Sequence, residues 1–204
     1  MKNIFLIFIF TSIANILYSQ SEIDLSKDFI YKGKHYSPHS PWVTTGFGYG
    51  YNIFQKTGEP NFLFDIHFRI KKKYYFGIGY STSREQFLDK NGQGIFLPYS
   101  FAKNSLNSIH IMYGYRKIGL KNNYGIFIGP SLNSGYSYIY SNKNGDYHKS
   151  YLEPGIYIST QYTQKIYYDL GVGLTLWYSF NKTYQIIGLS LHFYLSSAFK
   201  REII

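Results

Sequence analysis

Residues 169–180 read DLGVGLTLWYSF, and larger apolar side chains recur at every second position of this stretch. Successive side chains of a β-strand point to opposite faces of a sheet, whereas one face of a helix repeats about every 3.6 residues. The pattern therefore predicts a strand over residues 166–178, with small residues such as Gly171 and Gly173 on one face. The larger face would consist of Ile166, Tyr168, Leu170, Val172, Leu174, Leu176 and Tyr178.

The same alternation recurs along the chain, and no run of 18 apolar residues follows residue 41. Aromatic residues make up 21% of the sequence, and aromatic side chains fit the pleated surface of a sheet. Pro130 and Pro154 cannot donate to a strand ladder, so each predicts a bulge or a rim position. Eight strands are predicted, at residues 43–54, 61–71, 74–83, 106–116, 123–140, 152–162, 166–178 and 184–195.

The predicted connections differ in length between the two ends of the strands. Those after strands two, four and six are short, whereas those after strands three and five, at 84–104 and 141–150, are long. Each strand also reaches the ~9–11 residues that a tilted strand needs to cross a bilayer. Tight turns at one end and longer loops at the other are typical of small outer-membrane barrels.

The two faces of the strands indicate which one meets lipid. The face opposite the apolar side chains carries Gly, Ser, Asn, Asp, His and Arg, and isolated buried charges are too costly for a dry core. We therefore expect the apolar face to contact acyl chains and the polar face to line a narrow lumen. Tyrosines at strand ends would form the interfacial girdle: Tyr74, Tyr80, Tyr115, Tyr124, Tyr162 and Tyr178.

Several segments resemble the small outer-membrane β-barrel family of the OmpA/OmpX-like, eight-stranded kind. They are YYFGIGYS (74–81), IHIMYGYR (109–116), YGIFIGPSL (124–132) and DLGVGLTLWYSF (169–180). The resemblance covers about 42–195 and implies an all-β, eight-stranded antiparallel up-and-down transmembrane β-barrel in an outer membrane. Members commonly end on an aromatic residue; here Phe199 would keep the outward register, but residues 200–204 follow it.

Hairpin register predicts which side chains meet, because a slip of one residue exchanges the two faces. Centring the first hairpin on 57–58 gives the pairs Gly50–Asp65, Gly48–His67 and Gly46–Arg69. Centring the second on Lys72 gives Gly79–Asp65 and Gly77–His67, and centring the last on 180–181 gives Asp169–His192. A polar network is expected in the lumen from Asp65, His67, Arg69, His110, Arg116, Glu153, Asp169 and His192.

The N-terminal residues predict export. Residues 1–19 combine Lys2, an apolar run and small residues before Ser19, which is the layout of a signal peptide. Residues 20–41 read as a polar periplasmic lead-in, and 42–204 as the barrel domain. The chain contains no cysteine, which excludes a disulfide scaffold. Its formal charge of +10 would be neutralised by membrane phosphates rather than by nucleic acid, which an exported protein rarely meets.

Two groups of residues are candidate sites. Ser190, His192 and Asp169 could form a nucleophile, base and orienting acid, but all three would point into the lumen. His35 and His39 could bind a metal, yet two nearby prolines and the lack of carboxylates favour a simple tether. No catalytic residue, metal or cofactor is therefore predicted.

The predicted function is that of a non-enzymatic protein of the cell outer membrane. It would contact outer-membrane lipids, and an envelope or secretion complex could bind loops 84–104 and 141–150. Two alternatives stay open. An outward-facing Ser–His pair would indicate a lipid-modifying barrel enzyme. A soluble secreted lipid-binding barrel would instead bury Phe62, Phe64, Phe68, Leu170 and Leu174.

Overall fold

The computed structural model describes residues 28–31, 33–71, 73–85, 104–139 and 147–200. The predicted signal peptide, most of loop 84–104 and residues 201–204 lie outside these ranges. Within them, no helix is long and apolar enough to cross a membrane. The strands are β1 (Phe29–Tyr31), β2 (Lys34–Tyr36), β3 (Trp42–Asn52), β4 (Thr57–Lys71), β5 (Tyr74–Arg84), β6 (Ser105–Ile118), β7 (Asn122–Ile139), β8 (Tyr147–Lys165), β9 (Leu170–Asn181), β10 (Gln185–Ser196) and β11 (Phe199–Lys200).

Strands β3 to β10 form a closed, eight-stranded antiparallel barrel in which each strand pairs with its neighbours in sequence. Strand β10 closes the barrel on β3, with Ser196 opposite Trp42 and Ile186 opposite Asn52. Closure removes the sheet edges and pairs the backbone polar groups between strands, as the water-free core of a bilayer requires. The prediction of an up-and-down transmembrane barrel is confirmed.

The register confirms one predicted hairpin and corrects two. Asp65 lies opposite Gly79 and His67 opposite Gly77, as predicted. In the first hairpin, however, Gly50, Gly48 and Gly46 face Glu59, Asn61 and Leu63. In the last hairpin, His192 faces Gly173 rather than Asp169.

Two asparagines explain the corrected registers. Asn52 Oδ1 accepts hydrogen bonds from the amides of Phe54 and Gln55, both at 3.1 Å, and Lys56 has a φ of 56°. Asn181 Oδ1 likewise accepts from the amides of Thr183 and Tyr184, at 2.8 and 2.6 Å. Asn side chains stabilise turns by this local bonding. The turns therefore begin directly after these residues, earlier in the first hairpin and later in the last than predicted.

The structure also shows where the two strand prolines lie and where the predicted loop 141–150 ends. Pro130 lies where the β6–β7 pairing is interrupted, between the pairs His110–Ser131 and Tyr113–Ile128. Pro154 precedes Gly155, the first residue of β8 that pairs with β9, so it lies at a rim. Strand β8 begins at Tyr147, which shortens the predicted loop 141–150.

The outer surface of the barrel is apolar around its circumference. Phe64 and Leu174, for example, are 38% and 46% exposed. Tyr168 is an exception to the predicted outward set, because it lies in the β8–β9 turn and is buried. The lumen is filled by large side chains in addition to the polar ones: Trp42, Leu63, Tyr75, Leu106, Met112, Phe127, Tyr151, Tyr157, Trp177, Tyr184, Ile186 and Tyr194.

A small three-stranded sheet of β1, β2 and β11, here called the cap, lies at the end of the barrel that carries the tight turns. Tyr36 of β2 packs with Tyr168 and Ala198, and Phe29 packs against this cluster. The described part of the predicted lead-in is therefore folded. Phe199 pairs with Tyr36 in the cap rather than continuing the barrel ladder, because β10 ends at Ser196.

Candidate functional site

The centre of the lumen is organised around one buried carboxylate. Asp65 Oδ1 lies 3.0 Å from His110 Nε2, and Gln161 Nε2 donates to Asp65 Oδ2 at 3.2 Å. Both members of the Asp65–His110 pair are buried. The ring of His110 stacks on Tyr157, with 3.7 Å between the ring centroids. Small residues make this possible, since a Cβ at Gly79 would lie 2.1 Å from Asp65 Oδ1.

The other two lumen histidines have different surroundings. His192 contacts two threonine hydroxyls, Thr163 Oγ1 at 2.9 Å and Thr175 Oγ1 at 2.8 Å. His67 lies between aromatic rings, stacked on Trp42 and tilted against Phe127, each with a centroid distance of 4.5 Å. Both histidines fill the lumen, and His192 also joins β10 to β8 and β9 through the two threonines.

A buried guanidinium closes the lumen towards the cap. Arg116 lies over the ring of Trp42, 3.7 Å from its centroid, and its Nη2 donates to the hydroxyl of Tyr194 at 2.9 Å. Its charge is held by the π faces of aromatic rings, a favourable arrangement for a desolvated cation. Lys165 is held in a related way, over the ring of Tyr168 at 3.5 Å while its Nζ donates to the carbonyl of Gly119.

At the opposite end of the barrel, where the long loops begin, Glu59 accepts hydrogen bonds from Asn52, Ser83 and Tyr184. Burial and the Glu59 carboxylate raise the pKa of Tyr184, so its hydroxyl keeps its proton and donates to Glu59. The β9–β10 turn is fixed by Glu153 of β8, whose Oε1 accepts a hydrogen bond from the hydroxyl of Thr183 at 2.7 Å. Both ends of the barrel are thus crossed by hydrogen-bonded side chains.

The eight predicted lumen residues divide into two sets. Five are buried inside the barrel: Asp65, His67, His110, Arg116 and His192. Three lie elsewhere. Arg69 is exposed beside the irregularity at the β4–β5 turn, Glu153 is partly buried near the long-loop end, and Asp169 lies in the β8–β9 turn.

The sequence reasoning missed the aromatic filling of the lumen. Tyr157 and Trp177 occupy the face that was expected to be small and polar, and both are buried. The alternation itself could have placed both residues in the lumen. Each is a direct sequence neighbour of lipid-facing residues of its own strand, and so must point to the opposite face.

The arrangement does not assemble a hydrolytic site. Ser190 Oγ contacts Asn61 and Trp177, and both His192 nitrogens contact threonines. Asp169 lies in a turn beyond the strand that faces His192, so the three residues do not form a triad. His39 contacts the hydroxyl of Tyr75 at 3.0 Å. Among the described residues, no group of three His, Cys, Asp or Glu side chains could hold a metal ion.

The fold is similar to that of solved small outer-membrane barrels. Neisserial surface protein A matches with a TM-score of 0.53 and 12% identity, covering 76% of this chain and 95% of that one. Ail, the attachment invasion locus protein of Yersinia pestis, matches with a TM-score of 0.53 and 7% identity, covering 77% and 98%. Ail in complex with the heparin analogue sucrose octasulfate matches at 0.50 and 9% identity, covering 76% and 95%. At these identities the likeness concerns the fold, and it agrees with the OmpA/OmpX-like resemblance. No protein-family model and no curated protein matches the sequence.

Proposed function

We propose that this protein is a non-enzymatic, integral protein of the cell outer membrane whose barrel serves as a rigid scaffold for exposed loops. One observation carries the proposal: the apolar side chains of the barrel point outward, while its lumen is filled with packed aromatic and hydrogen-bonded side chains. An interior packed in this way supports a rigid scaffold better than a substrate-binding lumen. It holds the strand ends, and hence the loops, in fixed positions.

The two alternatives lack the features that would support them. Ser190 and His192 are both fully buried, so no acyl chain in the bilayer could reach this pair. Phe64, Phe68 and Leu174 are exposed on the outer surface, whereas a soluble lipid-binding barrel would bury them. Both observations favour a membrane scaffold.

Loop 84–104 is the part of the protein that we expect to bind a partner in an envelope or secretion complex. It leaves the barrel from a hydrogen-bonded base, in which the Glu85 amide donates to the Asn104 carbonyl at 3.1 Å and Asn104 Nδ2 donates to Glu85 Oε2 at 2.6 Å. The residues between lie outside the described ranges. Their sequence is apolar for a loop, with Phe87, Leu88, Ile95, Phe96, Leu97 and Tyr99.

Membrane fractionation tests the location and fold together. We expect the mature protein to sediment with outer membranes and to migrate differently on gels before and after heating, because a closed barrel resists detergent until heated. Recovery from the soluble periplasmic fraction would contradict the proposal.

A loop exchange tests the interaction role. Residues 86–99 are replaced by a Gly/Ser segment of equal length, which keeps the base at Glu85 and Asn104. The second loop serves as the control: the same exchange is made at residues 141–146, which contain no large apolar residue and are therefore expected to contribute less to binding than residues 86–99. Partners cross-linked to the wild-type protein in intact cells should be lost in the first variant and retained in the control. Retention of all partners and envelope phenotypes in the first variant would exclude a role for this loop.

A further inference from the structure

A pocket opens on the outside of the barrel where the cap meets the wall. It has a volume of about 420 Å³ and is lined by Lys34, Tyr36, Tyr167, Asp169, Leu170, Leu195 and Ser196. Residues from β2, from the β8–β9 turn and from the end of β10 thus meet at one place. The amide of Ser196 donates to the Asp169 carbonyl at 2.8 Å, which fixes the turn against β10.

The pocket lies at the boundary between the apolar wall and the polar rim. Along the β9–β10 ladder, the outward pairs Leu176–Leu189, Leu174–Leu191, Val172–Phe193 and Leu170–Leu195 follow one another towards the cap. Beyond the Leu170–Leu195 pair, the chain continues into Asp169 on one strand and Ser196 on the other. A membrane-spanning wall with this sequence of side chains would place the pocket at the level of the lipid head groups.

The charges in the pocket complement a zwitterion. Lys34 carries a positive charge and Asp169 a negative one, and both line the same cavity. Asp169 is close enough to Tyr36 that, after burial, its carboxylate is the largest contribution raising the pKa of that phenol. Tyr167, which is largely exposed, adds a phenol at the head-group level, where tyrosines are common.

We propose that this pocket binds the head group of a zwitterionic phospholipid, phosphatidylethanolamine, in the leaflet on the cap side. Lys34 would contact the phosphate and Asp169 the ammonium group, while the acyl chains follow the Leu170–Leu195 pair onto the apolar wall. An anionic lipid has no ammonium group of its own to pair with the Asp169 carboxylate. The inference rests on the proposed outer-membrane location, and its test separates the two.

Native mass spectrometry of the full mature protein, released from micelles holding equal amounts of phosphatidylethanolamine and phosphatidylglycerol, measures the retained lipid. The wild-type protein should retain one phosphatidylethanolamine in preference to phosphatidylglycerol. Asp169→Asn should abolish this preference, and Lys34→Gln should lower retention of both lipids by about tenfold, the scale of one charge-assisted hydrogen bond. Lys73→Gln, an exposed cation on the β4–β5 turn, is the matched control and should behave as wild type.

Each other outcome overturns the assignment. Equal retention of both lipids by the wild type, unchanged binding in K34Q and D169N, or an equal loss in K73Q would exclude a specific head-group site. Displacement of the lipid by soluble glycerophosphoethanolamine at the same concentration would mean that the pocket takes a free phosphoester instead. All variants are first checked for heat-modifiable migration. A wild-type protein that inserts but shows no preference for phosphatidylethanolamine therefore contradicts this site and leaves the proposed function intact.

Discussion

Asp65 connects three strands of the barrel. It lies on β4, and its two carboxylate oxygens contact His110 on β6 and Gln161 on β8. Asp65→Ala would leave both partners without an acceptor in a buried position. Leaving buried polar groups unsatisfied costs about 1–3 kcal/mol each. We therefore expect urea unfolding of the refolded barrel to show a loss of about 2–6 kcal/mol in the free energy of unfolding.

Asp169→Ala is the matched control for this substitution. Asp169 was expected to pair with His192, but the structure places it in the β8–β9 turn. Its replacement should change the free energy of unfolding by no more than about 0.5 kcal/mol, as for most surface positions. Equal costs at Asp65 and Asp169 would contradict the register described here.

Gly79 provides a second test of the same centre. A Cβ at this position would lie 2.1 Å from Asp65 Oδ1 and 2.2 Å from His110 Nε2, so Gly79→Ala must displace the pair. The single substitution should be destabilising, and the double variant with Asp65→Ala should cost less than the sum of the two. Residues in contact are expected to be coupled in this way. Simple additivity in urea unfolding would show that the two positions do not share an interaction.

His39 predicts a pH dependence. Burial lowers its pKa below the usual 6.5, and the nearby Arg69 and Arg116 lower it further, while Asp28 raises it. The unfolded chain therefore takes up this proton more readily than the folded one. His39 therefore contributes fully to the free energy of unfolding above pH 6.5. This contribution is lost as the pH falls towards the pKa of His39 in the folded protein.

Comparison with His39→Gln isolates this effect from the other histidines. The urea midpoint of the wild type, minus that of the variant, should fall between pH 7.5 and pH 5 and stay constant above pH 7.5. A difference that increases on acidification would show that the sign is wrong.

The cap is a sheet of its own, separate from the barrel sheet, and we expect its stability to depend mainly on Tyr36. Tyr36 is buried between Tyr168 and Phe29, with ring-centroid distances of 4.9 Å to Tyr168 and 6.1 Å to Phe29. Tyr36→Ala should release the cap without opening the barrel, because the eight barrel strands close without it. Amide hydrogen exchange should therefore accelerate in β1 and β2 and stay slow in β3 to β10.

Ile30→Ala is the control on the same sheet, since Ile30 is 61% exposed and contributes little burial. It should leave exchange in the cap nearly unchanged. Faster exchange throughout the barrel strands in Tyr36→Ala would instead show that the cap and the barrel unfold as one unit.

Element positions could be read from the sequence more reliably than their registers. Alternation located all eight strands, because each has one lipid-facing and one lumen-facing side. The β4–β5 register was also predictable, since only two residues separate the end of β4 at Lys71 from the start of β5 at Tyr74. Two others were not, because they depend on Asn52 and Asn181 bonding the following amides. The alternation of apolar and polar residues carries no information about such local hydrogen bonds.

The same limit applies to the candidate site. Parity placed Asp65, His67, His110 and His192 in the lumen, yet it could not show which of them meet. The alternation of side chains could not predict the cap either. Strand β2, Lys34–Tyr36, is too short to display a period, and it pairs with residues 199–200, which are distant in sequence.

Over the whole molecule, apolar side chains face the lipid while their sequence neighbours face the barrel axis. Leu176 is 50% exposed and Thr175 is fully buried, although they are adjacent on β9. The chain contains no cysteine, so a single spin label can be attached at either position without removing another thiol.

Electron paramagnetic resonance of the labelled Leu176→Cys and Thr175→Cys proteins in lipid vesicles distinguishes a lipid-facing from a lumen-facing side chain. The label at 176 should collide with oxygen, which concentrates in the bilayer core, and the label at 175 should be shielded from it and immobilised. If the label at 175 is the more accessible to oxygen, or the label at 176 is the more accessible to a water-soluble nickel complex, the apolar face does not contact lipid.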